Sequence, residues 1–159
     1  MLPVRPRYAR PMDINRKAPA TAEGEIQIAA DPETVFSVIS AIDEWPSWNP
    51  DVKSVKVEGP VQPGKIFRWK TGPGSLTSTL RVVDRPNEIA WTGTTMSIKA
   101  VHVFRFEARS GGTLARSEES WEGFIASMLK GYSRKTLNRA MQRILSLLRT
   151  EAERRAATA

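Results

Sequence analysis

The residues most suited to chemistry are His102 and Glu119, which lie on two neighbouring runs of alternating apolar and polar residues. Gly111 and Gly112 separate the runs, and a Gly-Gly pair supplies the positive φ values of a tight hairpin turn. If both glycines are loop residues, Glu119 lies opposite Phe104 and diagonal to His102. The histidine and the carboxylate then share one face of the hairpin, since side chains alternate between faces. Such a pair can share a proton, as acid/base catalysis requires, or orient a polar group of a ligand.

The rest of that hairpin face is rich in aromatic residues. The same register pairs His102 with Trp121 and Phe106 with Ser117, and Phe104 lies between them. A face of this composition should be the inner one, where a few polar groups among apolar walls are typical of a binding site. We expect ligand orientation or structural pairing here in preference to catalysis, which remains the alternative.

The sequence does not favour a metal site, a disulfide or a phosphate-binding loop. The chain has no cysteine and one histidine, which favours neither a metal site nor a disulfide, and no cofactor is implied. Gly72-Pro73-Gly74 lies between two predicted strands and Pro73 has no N–H, so this segment is predicted to be a turn and not a phosphate-binding loop. Neighbours on a strand point to opposite faces, so Glu118 should face solvent.

The elements that position these side chains follow from the residue patterns. Residues 25–29 alternate as a strand does, Asp31-Pro32-Glu33 marks the start of a short helix, and residues 43–50 form a second short helical piece. Six further strands are predicted at 52–58, 65–71, 75–84, 88–94, 99–109 and 113–122. Residues 127–157 are helical, with a bend expected at Gly131 and an apolar stripe of Leu137, Ala140, Met141, Ile144, Leu145, Leu147 and Leu148. A sheet wrapped around this helix would bury both apolar surfaces.

This order resembles the SRPBCC superfamily, also called START-like or helix-grip, in its polyketide cyclase/dehydrase-like branch. The resemblance covers residues 23–157 and is carried by Trp-Pro-Ser-Trp-Asn-Pro at 45–50 and by the segments 83–91 and 119–123. It implies an α+β helix-grip fold: a seven-stranded antiparallel sheet wrapped around a long C-terminal helix, with two short helices between strands 1 and 2. It also implies a deep apolar cavity for a hydrophobic small molecule. Some members of the superfamily are aromatases and cyclases, and many only bind or carry ligands.

The candidate ligand-binding residues extend beyond the hairpin. They are Trp91, His102, Phe104, Phe106, Ser117, Glu119, Trp121, Met128, Tyr132 and Met141. Trp45 and Trp48 are expected to pack against one end of the sheet. Three functions stay open: binding of a lipid- or polyketide-like molecule, a polyketide cyclase/dehydrase-type enzyme with His102 and Glu119 as acid/base, and an interaction module that uses the basic ends.

The charge distribution argues against a nucleic-acid partner. The net charge is +7, but residues 1–22 carry +4, residues 125–159 carry +6, and residues 23–124 carry −3. Basic charge therefore lies at the two ends of the chain, which weakens the case for a continuous phosphate-binding face on its body. The basic face of the C-terminal helix, which contains Lys135, Arg139 and Arg143, is expected to be solvated, with transient contact to an anionic membrane as an alternative.

The domain organisation is simple. A chain of 159 residues is the length of one domain. Residues 1–22 contain four prolines and few apolar residues, which predicts a flexible basic arm, and residues 23–159 form the single ligand-binding domain. Met12 is a possible natural start. No stretch approaches the roughly 20 apolar residues of a membrane span and cysteine is absent, so a cytoplasmic protein is expected. The sequence indicates no oligomeric state.

Overall fold

A computed structural model describes residues 11–72 and 74–159. The strands are β1 (Ala20–Ile28), β2 (Val52–Val57), β3 (Ile66–Thr71), β4 (Gly74–Asp84), β5 (Glu88–Thr95), β6 (Ile98–Arg109) and β7 (Gly112–Glu122). They form one antiparallel sheet in the order β1-β7-β6-β5-β4-β3-β2. The helices are α1 (Pro32–Ser40), α2 (Trp45–Trp48), α3 (Phe124–Met128) and α4 (Lys130–Thr158), and a 3₁₀ turn spans Ile42–Glu44. The predicted helix-grip fold is confirmed, and strands β2 to β7 begin and end within one residue of their predicted bounds.

Helix α1 begins where the sequence predicts. The Asp31 carboxylate accepts a hydrogen bond from the Thr34 backbone N–H at 2.7 Å, and Pro32 occupies the first turn, where no N–H is needed. Hydrogen bonding from Thr34, first from its side chain and then from its backbone N–H, lowers the pKa of the Asp31 carboxyl group. The helix buries an apolar face that includes Val35, Phe36, Val38 and Ile39.

Helix α4 packs most closely on β1, where Gly24 lets the two backbones approach. A Cβ atom at Gly24 would lie 2.9 Å from Cδ1 of Leu145 and 3.4 Å from Cγ of Met141. Leu137, Met141, Leu145 and Leu148 are fully buried along this side of the helix. The predicted bend is found at Leu129, between α3 and α4, instead of at Gly131, which lies inside the first turn of α4.

The β6–β7 hairpin has a different register from the predicted one. Arg109 pairs with Gly112, so the loop residues are Ser110 and Gly111, and the partner of every β6 residue moves by two positions. The reason is the neighbouring strand β1: Gly112 has φ +152°, and a Cβ atom there would lie 2.0 Å from the carbonyl oxygen of Ile28. Gly112 is therefore required by the close approach of β1 and not by the turn.

The chain before β1 packs on the outer face of the sheet. Strand β1 begins at Ala20, and Ile14 is buried against Val82 and Val103 on that face. The arm predicted for residues 1–22 thus has packed residues from position 12 onward, and its first ten residues lie outside the described part of the chain.

Charged residues hold this segment in place. Arg16 pairs with Glu118 at 2.9 Å, and Arg105 binds both Glu118 at 3.0 Å and Glu88 at 3.3 Å. The Met12 backbone N–H donates to Glu88 at 2.9 Å. Glu118 is therefore not solvated as expected, because its side chain, 15% exposed, is shared by two arginines. Among residues 11–72 and 74–159, no helix is long and apolar enough to cross a membrane.

Candidate ligand-binding cavity

A cavity of about 340 Å³ lies between the inner face of the sheet and α4. Helix α4 contributes Ala140, Ile144 and Leu147, one edge of its predicted apolar stripe, while the other edge packs in the core. The cavity reaches the surface beside Met96, a wall residue that is 90% exposed in the β5–β6 turn. All five tryptophans of the chain line it, namely Trp45, Trp48, Trp69, Trp91 and Trp121.

Trp45, Trp69 and Trp91 are held by contacts with one another and by hydrogen bonds. The Trp45 ring lies 5.5 Å from Trp69 and 5.4 Å from Trp91, centre to centre. Its indole N–H donates to the Ile39 carbonyl at 3.0 Å, and that of Trp69 donates to the Ser78 hydroxyl at 3.1 Å. These contacts fix the aromatic wall in one arrangement, so the cavity is largely pre-formed.

His102 and Glu119 form the polar part of the wall. They lie directly opposite each other on β6 and β7, with Nδ1 of His102 3.5 Å from Oε2 of Glu119. Their side chains are 10% and 15% exposed. The imidazole stacks on Phe104 with ring centres 4.5 Å apart and lies 5.0 Å from Trp91. Oε1 of Glu119 accepts a hydrogen bond from the Trp121 indole at 2.9 Å.

The hydrogen bonds of Ser117 determine which imidazole nitrogen carries the proton. The Ser117 hydroxyl donates its single proton to the Val103 carbonyl at 3.1 Å, so it accepts from Nε2 of His102 at 2.9 Å. Burial lowers the pKa of His102, and the charge of Glu119 only partly offsets this, so the ring is neutral at neutral pH. Nδ1 is then unprotonated, and two hydrogen-bond acceptors, Nδ1 and Oε2, lie side by side on the cavity wall.

A family model described as polyketide cyclase / dehydrase and lipid transport matches residues 19–153. The chain belongs to this family. The match runs from the residue before β1 into the last turns of α4, so it includes the whole sheet and every cavity wall. It confirms the resemblance noted from the sequence. No curated protein sequence matches the chain significantly.

Solved structures with the same fold come from several bacteria. A hypothetical protein of Helicobacter pylori has a TM-score of 0.76 at 13% identity, over 91% of this chain and 98% of that one. An aromatase/cyclase from Streptomyces sp. R1128 has a TM-score of 0.70 at 17% identity, over 86% and 94%. A START superfamily protein from Mycobacterium smegmatis has a TM-score of 0.69 at 16% identity, over 84% and 97%. At such identities the likeness shows the fold alone.

Five of the ten sequence-predicted site residues line the cavity of this family member: Trp91, His102, Phe104, Glu119 and Trp121. Ser117 lies behind His102 and is 1% exposed. Phe106 packs edge-on against Phe36, with ring centres 6.2 Å apart, and Met141 packs in the core beside β1.

Met128 and Tyr132 lie on the surface instead of in the cavity, 62% and 71% exposed. They belong to α3 and the first turn of α4, before the helix reaches the cavity with Ala140. The prediction that they bind the ligand is therefore wrong, because neither residue belongs to the apolar stripe of α4 that faces the sheet.

The contribution of α2 and the loop after it to the cavity was not predicted from the sequence. Trp45 packs against the sheet as expected, but it and Trp48 also line the cavity, together with Asn49 and Asp51. The Asp51 carboxylate binds the Arg143 guanidinium of α4 through two hydrogen bonds, one of them 3.1 Å long. This ion pair joins α4 to the α2–β2 loop at the edge of the cavity. In the described part of the chain, no group of three His, Cys, Asp or Glu side chains is placed to bind a metal.

Proposed function

We propose that this protein binds a hydrophobic small molecule, lipid- or polyketide-like, in the cavity between the sheet and α4. The observation that carries the proposal is that the space between Phe104, Glu119, Trp121 and α4 is open and not filled by side chains. Its volume of about 340 Å³ lies within the range of small-molecule sites, and its walls are overwhelmingly apolar.

The polar pair defines one end of the ligand. Nδ1 of His102 and Oε2 of Glu119 are both acceptors, so they favour a ligand that presents a hydrogen-bond donor, such as a phenolic or enolic hydroxyl. A ligand that buries only apolar atoms against them would leave two buried acceptors without partners, which lowers affinity. The proposed ligand is therefore largely apolar with a hydroxyl group at one position.

Two matched comparisons test this proposal. The first titrates the protein with 2-naphthol and with 2-methoxynaphthalene, which lacks the donor, and follows binding by tryptophan fluorescence. We expect 2-naphthol to bind at least tenfold more tightly. Equal affinity for the two compounds would remove His102 and Glu119 from ligand recognition.

The second comparison uses variants of one strand. Ala100 of β6 lines the cavity opposite Trp121, whereas Ala108 lies on the same strand near the β6–β7 turn, exposed and away from the cavity. Ala100→Phe should weaken 2-naphthol binding at least tenfold, and Ala108→Phe should leave it unchanged. Unimpaired binding by Ala100→Phe would show that the cavity is not the site. Native mass spectrometry of protein from its own host would identify the retained ligand.

A second candidate function, a cyclase/dehydrase-type enzyme, is favoured by the free Nδ1 atom beside the Glu119 carboxylate. Nδ1 would take a proton from a carbon next to a ligand carbonyl, and the resulting carbanion would attack a second carbonyl carbon of the ligand. The imidazolium, stabilised by Glu119, would return the proton to the alkoxide oxygen that forms. Turnover that is lost in Glu119→Gln while 2-naphthol still binds would establish this function over binding alone.

A further inference from the structure

Large apolar side chains are exposed together at one end of the molecule. Phe124 and Met128 of α3, Leu129, and Tyr132 of α4 are all at least 46% exposed, and Met96 of the β5–β6 turn is 90% exposed. Apolar groups clustered in this way on a surface are typical of an interaction site.

The cluster has two parts, one on α3 and the start of α4 and one on the β5–β6 turn, and these parts are adjacent. Gly123 has φ +119°, and a Cβ atom there would lie 1.8 Å from the Ser97 carbonyl oxygen, so the start of α3 is packed directly on the β5–β6 turn. The backbone N–H of Ile125 also donates to the Ser97 hydroxyl at 3.2 Å. Since Met96 lines the cavity, the cluster borders the cavity opening.

The charged residues in the sequence around this cluster are all basic. Between Gly123 and Thr150 the sequence contains no Asp or Glu, whereas it contains Lys130, Arg134, Lys135, Arg139, Arg143 and Arg149. Arg143 is neutralised by Asp51. Lys130 and Lys135 are exposed on the first turns of α4 and make no salt bridge with any residue that the structure describes.

We propose that this surface, Met96, Phe124, Met128, Leu129, Tyr132, Lys130 and Lys135, docks onto an anionic phospholipid bilayer. We call it the docking surface. The lysines would bind the anionic head groups, and the apolar side chains would enter the boundary between head groups and acyl chains. The inference rests on the proposed ligand binding and deepens it, because docking places the cavity opening against a phase that dissolves a hydrophobic ligand.

A bilayer fits these observations better than an acidic protein partner. Side chains as exposed as Phe124 and Met96 touch little of their own protein, and a fluid bilayer accepts them individually without shape complementarity. Aromatic rings such as those of Phe124 and Tyr132, beside lysines, are also the usual composition of membrane-surface segments.

Flotation of the full chain with lipid vesicles tests the docking surface. One set contains phosphatidylcholine alone, and the other contains equal parts of phosphatidylcholine and phosphatidylglycerol. We expect binding to the anionic vesicles only, with at least a tenfold loss of affinity when the salt concentration is raised from low to high. Absence of binding to the anionic vesicles would overturn the proposal.

Two double variants separate the charged and apolar contributions. Lys130→Glu with Lys135→Glu should abolish vesicle binding, whereas Lys56→Glu with Lys65→Glu, the same charge change near the β2–β3 turn at the far end of the sheet, should retain it. Phe124→Ser with Leu129→Ser should weaken binding at least fivefold. Serine is a favourable residue at position 129, which is the N-cap of α4, so the fold should be kept.

The outcomes distinguish docking from its alternatives. Equal loss in both lysine variants would mean general electrostatic adsorption and would refute the docking surface, as would full binding by the serine variant. Retention of vesicle binding by Lys130→Glu with Lys135→Glu would also refute it. Binding of 2-naphthol without vesicles is measured separately: it should persist in the serine variant, and vesicle binding should persist in Ala100→Phe. A result that refutes ligand binding in the cavity can thus be distinguished from a result that refutes docking onto the bilayer.

Discussion

The strongest test of the hairpin register is the substitution Gly112→Ala. The new Cβ atom would lie 2.0 Å from the Ile28 carbonyl oxygen and 3.0 Å from its carbonyl carbon, at a φ of +152°. Both atoms are backbone, so no side-chain rotation relieves the clash. Strand β1 would have to move by about 1 Å, enough to disrupt its pairing with β7 at Thr113, whose hydroxyl also donates to the Ala30 carbonyl at 2.7 Å.

The loss in free energy of unfolding follows from the hydrogen bonds that this movement breaks. Two or three hydrogen bonds of about 1 kcal/mol each, with added backbone strain, give a destabilisation of about 3 kcal/mol or more. Gly111→Ala is the matched control, because Gly111 also has positive φ, +81°, but its Cβ atom would meet nothing within 4 Å. That substitution should cost only the left-handed backbone penalty, about 1–2 kcal/mol.

Urea unfolding followed by tryptophan fluorescence measures both free energies. We expect Gly112→Ala to be less stable than Gly111→Ala by at least about 1 kcal/mol, or about 2–4 °C in Tm for a domain of this size. In the register first predicted from the sequence, both glycines are loop residues and the two substitutions cost the same. Equal destabilisation would therefore refute the structural assignment of Gly112 and, with it, the direct pairing of His102 with Glu119.

Three further predictions concern titrating groups. Because folding lowers the pKa of His102 below its usual value of 6.5, the unfolded chain binds a proton more readily, so the free energy of unfolding should fall as the pH falls from 6.5 through the folded-state pKa. NMR of the one imidazole measures that pKa directly, and a value above 6.5 would contradict the prediction. Glu119→Gln removes the charge that raises the pKa of His102 and should lower this pKa further; an unchanged value would show that the carboxylate does not act on the ring. Hydrogen bonds from Arg154, and less strongly from Arg155, lower the pKa of Glu151 to about 2 against the effect of burial, which stabilises the fold above pH 4.5 and is lost as the pH falls toward 2. Glu151→Gln should therefore cost about 1–3 kcal/mol in urea unfolding at pH 7 and almost nothing at pH 2, whereas equal costs at both pH values would exclude this ion pair as the cause.

The order of elements was predictable because each one carries a local signal. Six strands show period-two alternation between glycine or proline breaks, and α1 has its cap and first-turn proline in Asp31 and Pro32. The N-terminal segment lacks such a signal. Ile14 is a single apolar residue among charges and prolines, and its burial depends on Val82 and Val103, which are far away in the sequence.

The cavity was only partly predictable for the same reason. Trp91, Phe104 and Trp121 belong to the central strands, whose alternation identifies the inner face. Trp45 and Trp48 reach the cavity because α2 crosses from the β1 side of the molecule to the edge strand β2, and this path is a tertiary property. A short helix with two tryptophans has no local pattern that distinguishes packing on a sheet from lining its cavity.

An error in the predicted register of the β6–β7 hairpin changes the cross-strand partner of each residue but not the face on which its side chain lies. A shift of two residues keeps every side chain on its predicted face, so His102 and Glu119 remained on the inner face although the turn was misplaced. The chemistry nevertheless changes with the shift. In the predicted register the two residues are diagonal and Ser117 lies opposite Phe106, whereas in the structure Glu119 lies opposite His102 and Ser117 reaches Nε2. Only the second arrangement assigns the imidazole proton and leaves Nδ1 free beside the carboxylate. The proposal of a ligand with a hydroxyl group therefore rests on the observed register, which depends on the close approach of β1 at Gly112.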